Sequence, residues 1–395
     1  MNILFICHRF PYPPNKGEKI RSYNQIKHLA KDHAIHLVCL SDEFINPDHV
    51  SRLRNFCSSI EIVLRRKWVN KLCAAMALFR FIPFSVAYFR SRKLQKKVFQ
   101  KLESQNFQRI IVSSSSMAEY VRLLTNIPKM IDFMDVDSAK WACYADAHSF
   151  PLSWIFHEES VRLERYEIEL GETFDSSIFV SEREASLFKG KVKEASVSVI
   201  SNGVDLEYFR SEICDISESQ LPNLVFLGAM DYFPNVDAVK YFCRDIFPII
   251  RNELPHAKFF IVGRNPTSQV RALGRQQNIT VTGSVSDIRP YLAKAMVTVV
   301  PLRIAGGIQN KVLESLASGI PVVCTPKAIQ GTFIAGENGV LVTENSKEFA
   351  KQVLTLIGNA ALRKEFSLQG RAYVEKFHRW DYWNTKFADL MKRVK

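Results

Sequence analysis

The sequence predicts an α/β protein made of two doubly wound parallel sheets, one in each half of the chain. Three observations predict it. Short β-branched runs alternate with stretches of helical spacing along almost the whole length, the pattern of repeated βα units. A strand-loop-helix-strand opening near the N-terminus starts afresh near Leu224. Met296 to Val300 is a β-branched run of the kind buried on both faces of a parallel sheet. With 395 residues and 47% apolar content, the chain can bury two sizeable cores.

Nowhere do the roughly 18 to 20 uninterrupted apolar residues of a membrane span occur. The opening MNILFICHRF has no basic residue before its short apolar run, which fits a first strand better than a secretory signal. A cytoplasmic protein is expected. Cys7, Cys39, Cys57, Cys73, Cys143, Cys214, Cys243 and Cys324 are scattered without a C-x-x-C pair. They read as small buried hydrophobes, not as disulfides or zinc ligands. The net charge of +13 is unevenly placed: residues 1–130 carry 22 basic against 8 acidic side chains, and residues 131–200 carry 7 against 14. The first third is the basic pole.

Taken in order, residues 2–7 read as a strand, 8–19 as a loop, 20–31 as a helix and 35–40 as a second strand. In doubly wound sheets ligands meet the carboxyl ends of the strands, so His8, Arg9, Lys16, Gly17 and Glu18 are expected to face a ligand. Between Arg65 and Lys101, eleven Lys or Arg residues and no acid are interleaved with Trp68, Leu72, Met76, Leu78, Phe79, Phe81, Phe84, Tyr88, Phe89 and Phe99. No nucleic-acid-binding motif accompanies this charge. The remaining choices are a solvated face and contact with the headgroups of an anionic bilayer, the latter favoured by the aromatic residues.

Strands are expected at 109–112 and 127–133, the second running into Asp135-Val136-Asp137-Ser138. Two carboxylates flanking one residue permit a divalent cation; the preferred reading is that Asp137 or Ser138 caps the following helix. Residues 152–170 read as an acidic, mostly solvent-facing helix with i,i+4 pairs such as Glu158 with Arg162. Strands at 176–180 and 197–200 and a turn at Asn202-Gly203 follow.

In the second half the expected order is a strand at 224–228, a helix at 236–253, a strand at 258–262, a helix at 267–277, a strand at 279–282 and a helix at 287–295. Gly228 and Asp231 follow the first of these strands, and Gly263 and Arg264 follow the second, where the arginine is placed to pair with phosphate or to stand exposed. The densest stretch comes next. Gly306 and Gly307 separate the strand at 296–300 from helical spacing over 308–317, and Gly319 stops that helix before a strand at 320–323. At about 100° per residue, Ile308, Val312, Leu313, Leu316 and Ala317 share one side while Asn310, Lys311 and Glu314 share the other. Glycines that let a ligand approach, free N–H groups in a first helical turn and a nearby lysine make an anion site. A carboxylate one turn on suits a ribose diol. An ordinary surface Lys–Glu pair on a βαβ crossover has the same spelling.

The stretch from Pro301 to Val323, with Lys311, Glu314 and Gly319-Ile320-Pro321-Val322-Val323, resembles the donor-binding signature of glycosyltransferase family 4. GGIQNKVLE and DFMDVDSAKW are similar to the exopolysaccharide- and exosortase-associated sugar transferases of that family. The resemblance implies the GT-B fold, two Rossmann-like domains facing across a cleft. Residues 1–203 would form the acceptor domain, joined by a C-terminal helix at 379–395 that crosses back to it, and 204–378 the donor domain. It implies that Lys16, Gly17, Gly228, Arg264, Gly306, Gly307, Ile308, Gln309, Asn310, Lys311 and Glu314 surround a UDP- or GDP-sugar, with Ser284 and Val285 at the base and Glu314 on the ribose. Asp135 or Asp137 would contact the acceptor, and His8 is a candidate base. Implied with these are retention at the anomeric carbon, a glycan or polyprenyl-linked acceptor, no cofactor and no metal, and a place on the inner face of an anionic membrane.

Two departures stand out. Gly306 occupies the position of the first of two family glutamates, and Ala229 follows Gly228 where the family carries diphosphate-gripping basic residues. A nucleotide-sugar epimerase of the same architecture, or a non-catalytic membrane-associated scaffold, would share most of these features.

Overall fold

The computed structural model describes residues 1–77, 81–192, 195–210, 221–334 and 338–394. Leu78, Phe79 and Cys214 lie outside these described residues. The chain divides into two units, Met1–Ser201 with Asp381–Lys395, and Asn202–Trp380.

In the first unit β1 (Asn2–Cys7), β2 (Ala34–Ser41), β3 (Ser59–Leu64), β4 (Arg109–Ser113), β5 (Lys129–Met134), β6 (Ser176–Phe179) and β7 (Val197–Val199) form a parallel sheet in the order β3-β2-β1-β4-β5-β6-β7. Side chains alternate across a strand, and here both faces are buried. Leu4 and Ile6 enter one core with Val112 and Ile131; Ile3 and Phe5 enter the other with Leu37, Ile111 and Met130. The second core is completed by the last helix, Trp380–Arg393, through Trp383, Phe387 and Met391. Arg109 fixes the end of that helix by donating from Nε to the Met391 carbonyl at 3.1 Å and from Nη2 to that of Val394 at 2.5 Å. The C-terminal helix therefore packs with the first unit.

In the second unit β8 (Asn223–Leu227), β9 (Lys258–Val262), β10 (Ile279–Gly283), β11 (Val297–Val300), β12 (Val322–Cys324) and β13 (Val340–Val342) form a parallel sheet in the order β10-β9-β8-β11-β12-β13. Both units step outward from their first strand and then return to its other side. The order reverses between β1 and β4 in one sheet and between β8 and β11 in the other. In sheets of this type, ligands bind outside the carboxyl ends of the strands at that reversal.

Three local expectations need correction. The helix expected at 236–253 is interrupted by a π-turn at Phe242–Ile246, between the helices Phe233–Tyr241 and Phe247–Glu253. Pro248 has no N–H to give and its ring crowds the preceding turn, so the ladder widens ahead of it. The helix Leu152–Thr173 is not mostly solvent-facing, since Glu159, Leu163, Tyr166, Glu167 and Leu170 are buried. Its Glu158–Arg162 pair does form, at 3.2 Å. Neither Asp137 nor Ser138 caps the helix Asp137–Asp146 by side chain. The cap comes from distant carboxylates: Glu184 accepts from the N–H of Val136 at 2.8 Å, and Glu167 accepts from the N–H of Ser138 at 3.1 Å and from its hydroxyl at 2.5 Å. Glu159 does the same for the helix Phe84–Phe89, accepting from the N–H of Ser85 at 2.9 Å. These acids are buried because each answers the unsatisfied donors of another helix's first turn.

A buried ion pair ties the first helix, Gly17–Leu29, to the sheet. Arg21 is 1% exposed and donates from Nε to Asp132 at 2.6 Å, and from Nη1 to the carbonyl of Ile200 at 2.8 Å. Gln25 donates to the same Asp132 oxygen at 2.6 Å. Arg21→Met strands a carboxylate in the core and is expected to lower the unfolding free energy by about 3–5 kcal/mol in urea titrations. A loss under about 1 kcal/mol, the usual worth of an exposed pair, would show the contact to be dispensable.

Candidate functional site

In the second unit the loops at the reversal point are held together by their backbones. Gly228 ends β8 with φ +157°, and a Cβ on Gly263 would fall 1.6 Å from the Gly228 carbonyl oxygen. Only glycine permits that approach. Met230 N–H donates to the carbonyl of Arg264 at 2.8 Å, so the loops after β8 and β9 run side by side. The helix Phe233–Tyr241 then brings Asn235 back beneath the first loop. Its Nδ2 donates to the Ala229 carbonyl at 2.9 Å.

On the other side of the reversal, β11 leads through 301–309 into the helix Asn310–Ala317. Gly307 has φ +55°, and its carbonyl is packed against Gly331, where a Cβ would lie only 2.2 Å away. Gln309 donates from Nε2 to the Gly306 carbonyl at 2.9 Å, and no side chain caps the helix. A Cβ on Gly306 would meet nothing within 4 Å. The helix begins two residues later than its spacing suggests, which leaves Ile308 and Gln309 in the loop.

Lys311 departs most from expectation. Helical spacing groups it with Glu314 on the face turned from the core, yet it is 8% exposed. Its Nζ donates to Asn235 Oδ1 at 2.5 Å and lies 4.2 Å from the centre of the Phe226 ring. Among the described residues no carboxylate lies within ion-pair distance of it. Burial pushes its pKa down to about 7, and only the charge of Glu314 opposes the shift. Burial likewise pushes the Glu314 carboxyl up to about 7, opposed by Lys311. The result is a buried ammonium and a carboxyl group one helical turn apart, unpaired, at an uncapped helix N-terminus.

Asn310 opens the helix and is tied to the start of the unit, accepting from Asn202 Nδ2 at 3.2 Å. The Asn202 carbonyl accepts from His378 Nδ1 at 2.8 Å, and His378 Nε2 lies 3.0 Å from the Tyr373 hydroxyl. Burial lowers the His378 pKa to about 4. The ring is therefore neutral; since a carbonyl only accepts, Nδ1 carries the proton and Nε2 accepts from Tyr373.

The remaining expected residues lie elsewhere. Ser284 and Val285 follow β10, two strands from β8 at the sheet edge, with Ser284 exposed. In the first unit His8 and Asp135 follow β1 and β5. His8 packs edge-on to Phe89 with ring centres 5.2 Å apart, its Nδ1 buried without a hydrogen-bond partner among the described residues. Burial lowers its pKa to about 4, which makes it a weak base near neutrality. Burial, reinforced by Glu184, raises Asp135 to about 7, closer to what general-base work at neutral pH requires. Lys16 is engaged by Glu43 at 3.2 Å, and Gly17 begins its helix exposed. No group of three or more metal-ligating side chains occurs among the described residues.

Residues 221–359 match the family described as Glycosyl transferases group 1. The chain is a glycosyltransferase. The matched segment of this glycosyltransferase spans β8 to β13 and contains Asn235, Lys311 and Glu314. An uncharacterized protein in the cps region of Klebsiella pneumoniae is 19% identical over 388 residues, 95% of each chain. An uncharacterized glycosyltransferase of Methanocaldococcus jannaschii is 28% identical over 186 residues, 45% of this chain and 49% of its own. The crystal structure of Anabaena HepE in complex with UDP has a TM-score of 0.70 at 13% identity, covering 99% of this chain and 100% of its own. The structural likeness extends over both units and bears out the two-domain parallel α/β fold.

Asn235, Phe226, Asn202 and His378 escape the sequence reading. Asn235 and Lys311 are 76 residues apart, and nothing in either segment's periodicity signals that they meet.

Proposed function

We propose that this glycosyltransferase moves a sugar from a UDP- or GDP-sugar to a hydroxyl of a growing, lipid-linked glycan, with retention at the anomeric carbon. The observation that carries the donor assignment is Lys311, a buried cation with neutral partners beside a helix N-terminus that nothing caps. Such a place stabilises a diphosphate and, more strongly, the charge that gathers on it as the bond to the sugar breaks. UDP in the HepE crystal structure supports a nucleotide of this class. The Klebsiella relative, by its place in a cps region, supports a role in polysaccharide assembly.

In this reading the bond from the anomeric carbon to the leaving phosphate oxygen breaks, and the acceptor oxygen bonds to the same carbon on the same face. The acceptor proton passes to the departing diphosphate. Lys311 and the first-turn N–H groups hold that diphosphate, and Glu314 accepts from the ribose diol. Asp135 orients the acceptor hydroxyl. Catalysis is then mostly positioning and charge stabilisation, and the family's first glutamate, here Gly306, is replaced by open space.

The basic segment is proposed as the membrane contact. On the helix Lys67–Met76, Trp68, Leu72 and Met76 recur at i, i+4 and i+8 and are 62%, 54% and 49% exposed. Arg66 and Lys71 flank them, and Arg92, Lys93 and Lys96 are exposed on the helix Arg92–Ser104. Exposed apolar side chains ringed by cations suit an anionic bilayer surface. No helix among the described residues is long and apolar enough to cross a membrane.

Two predictions follow from these assignments. Glu314→Ala, measured by calorimetry near pH 7, should weaken donor-nucleotide binding by about 1–3 kcal/mol; unchanged affinity removes Glu314 from the site. Incubation with a nucleotide sugar alone, followed by chromatography, separates the alternatives: conversion of the sugar without acceptor would favour the epimerase. Replacing Trp68 and Leu72 with Ala and Arg92, Lys93 and Lys96 with Gln should reduce sedimentation with phosphatidylserine vesicles at least tenfold, at roughly 1 kcal/mol per basic residue, while activity on a soluble acceptor persists. Equal sedimentation of both forms rejects the membrane contact.

A further inference from the structure

Asn235 has a position and a hydrogen-bonding pattern that the loop alone does not require. It is 5% exposed, in the first turn of the helix Phe233–Tyr241. The Ala229 carbonyl can only accept and the Lys311 ammonium can only donate, so the amide has one orientation: Nδ2 to Ala229 at 2.9 Å, Oδ1 to Lys311 at 2.5 Å. Room for it is made by Gly228, where a Cβ would stand 2.5 Å from Asn235 Nδ2. The Phe226 ring, 4.2 Å from Nζ, supplies a second neutral attraction.

We propose that Asn235 is a positioning residue for the donor diphosphate: its Oδ1 fixes the Lys311 ammonium at the N-terminus of the helix Asn310–Ala317 while leaving its charge uncancelled. This rests on the reading of Lys311 as the diphosphate cation. An ammonium has three N–H donors; Asn235 takes one, and the other two serve the anion. A carboxylate at 235 would hold the lysine as firmly but neutralise it, and would set an anionic oxygen against the Ala229 carbonyl. A shorter side chain would release the lysine to many rotamers, and that lost order would have to be restored at binding. An amide alone combines the required acceptor, the required donor and zero charge.

The test is a double-mutant cycle read by calorimetry on the full-length protein with UDP, GDP, ADP and dTDP, each alongside its nucleoside. Lys311→Met should weaken the preferred diphosphate at least tenfold and leave its nucleoside unchanged. Asn235→Ala should weaken the diphosphate about fivefold to twentyfold, again sparing the nucleoside, and should add almost nothing in the Lys311→Met background. Asn235→Asp is nearly isosteric and keeps the fold should the alanine variant not. It should bind diphosphate no better than Asn235→Ala, whereas a merely structural asparagine predicts near-normal binding. Wild-type-like binding by Asn235→Asp, full additivity with Lys311→Met, or equal losses for nucleoside and diphosphate overturns the inference while sparing Lys311. Failure of all four diphosphates to bind the wild type, or an unaffected Lys311→Met, overturns the parent reading instead.

Discussion

A lysine ammonium taken out of water without a carboxylate to meet it is the constraint on which the second unit's chemistry depends. Burying an unpaired charge is costly, and Lys311 is 8% exposed and, among the described residues, paired only with an amide oxygen and an aromatic ring. Its burial shifts it toward the neutral amine, near pH 7. A site of this kind is electrostatically unfinished, and an arriving anion relieves the penalty. Glu314, pushed upward by the same burial, holds the opposite charge one turn away without cancelling it.

The topology explains why this occurs where it does. Strand order reverses between β8 and β11, the place where sheets of this type bind ligands at the carboxyl ends of their strands, and the loops there are stitched backbone to backbone. Gly228 lies against Gly263 and Gly307 against Gly331, all without side chains. Rigid loops fix the start of the helix Asn310–Ala317, and the Tyr373–His378–Asn202 chain fixes its first residue from the other side. The matched family segment covers these loops, and full-length likeness to HepE extends the fold to both units.

Much of the fold was legible because parallel sheets buried on both faces write themselves as β-branched runs: β1 and β9 fall where the runs at 2–7 and 258–262 place them. Helix ends were less legible, as Pro248 shows by forcing a π-turn where spacing runs on. Long-range polar pairing was not legible at all. Glu167 and Glu184 cap a helix 29 and 48 residues away, so acids that look solvent-facing along their own helices are buried. The residue types of the candidate site, Gly306 to Glu314, could be picked out by spacing and resemblance. The inward turn of Lys311 could not, because the partners that receive it, Asn235 and the Phe226 ring, come from distant segments of the chain.

The central claim is that Lys311 is a cation awaiting an anion, and its own titration tests this most directly. Carbon-13 labelling of the lysine side chains, with Lys311 assigned by comparison with Lys311→Met, reports the protonation of that ammonium with and without saturating nucleoside diphosphate. The account predicts a free-protein pKa of about 7 that rises once the diphosphate is bound, as an opposite charge in contact requires. A bound diphosphate that leaves the Lys311 titration unmoved would contradict it.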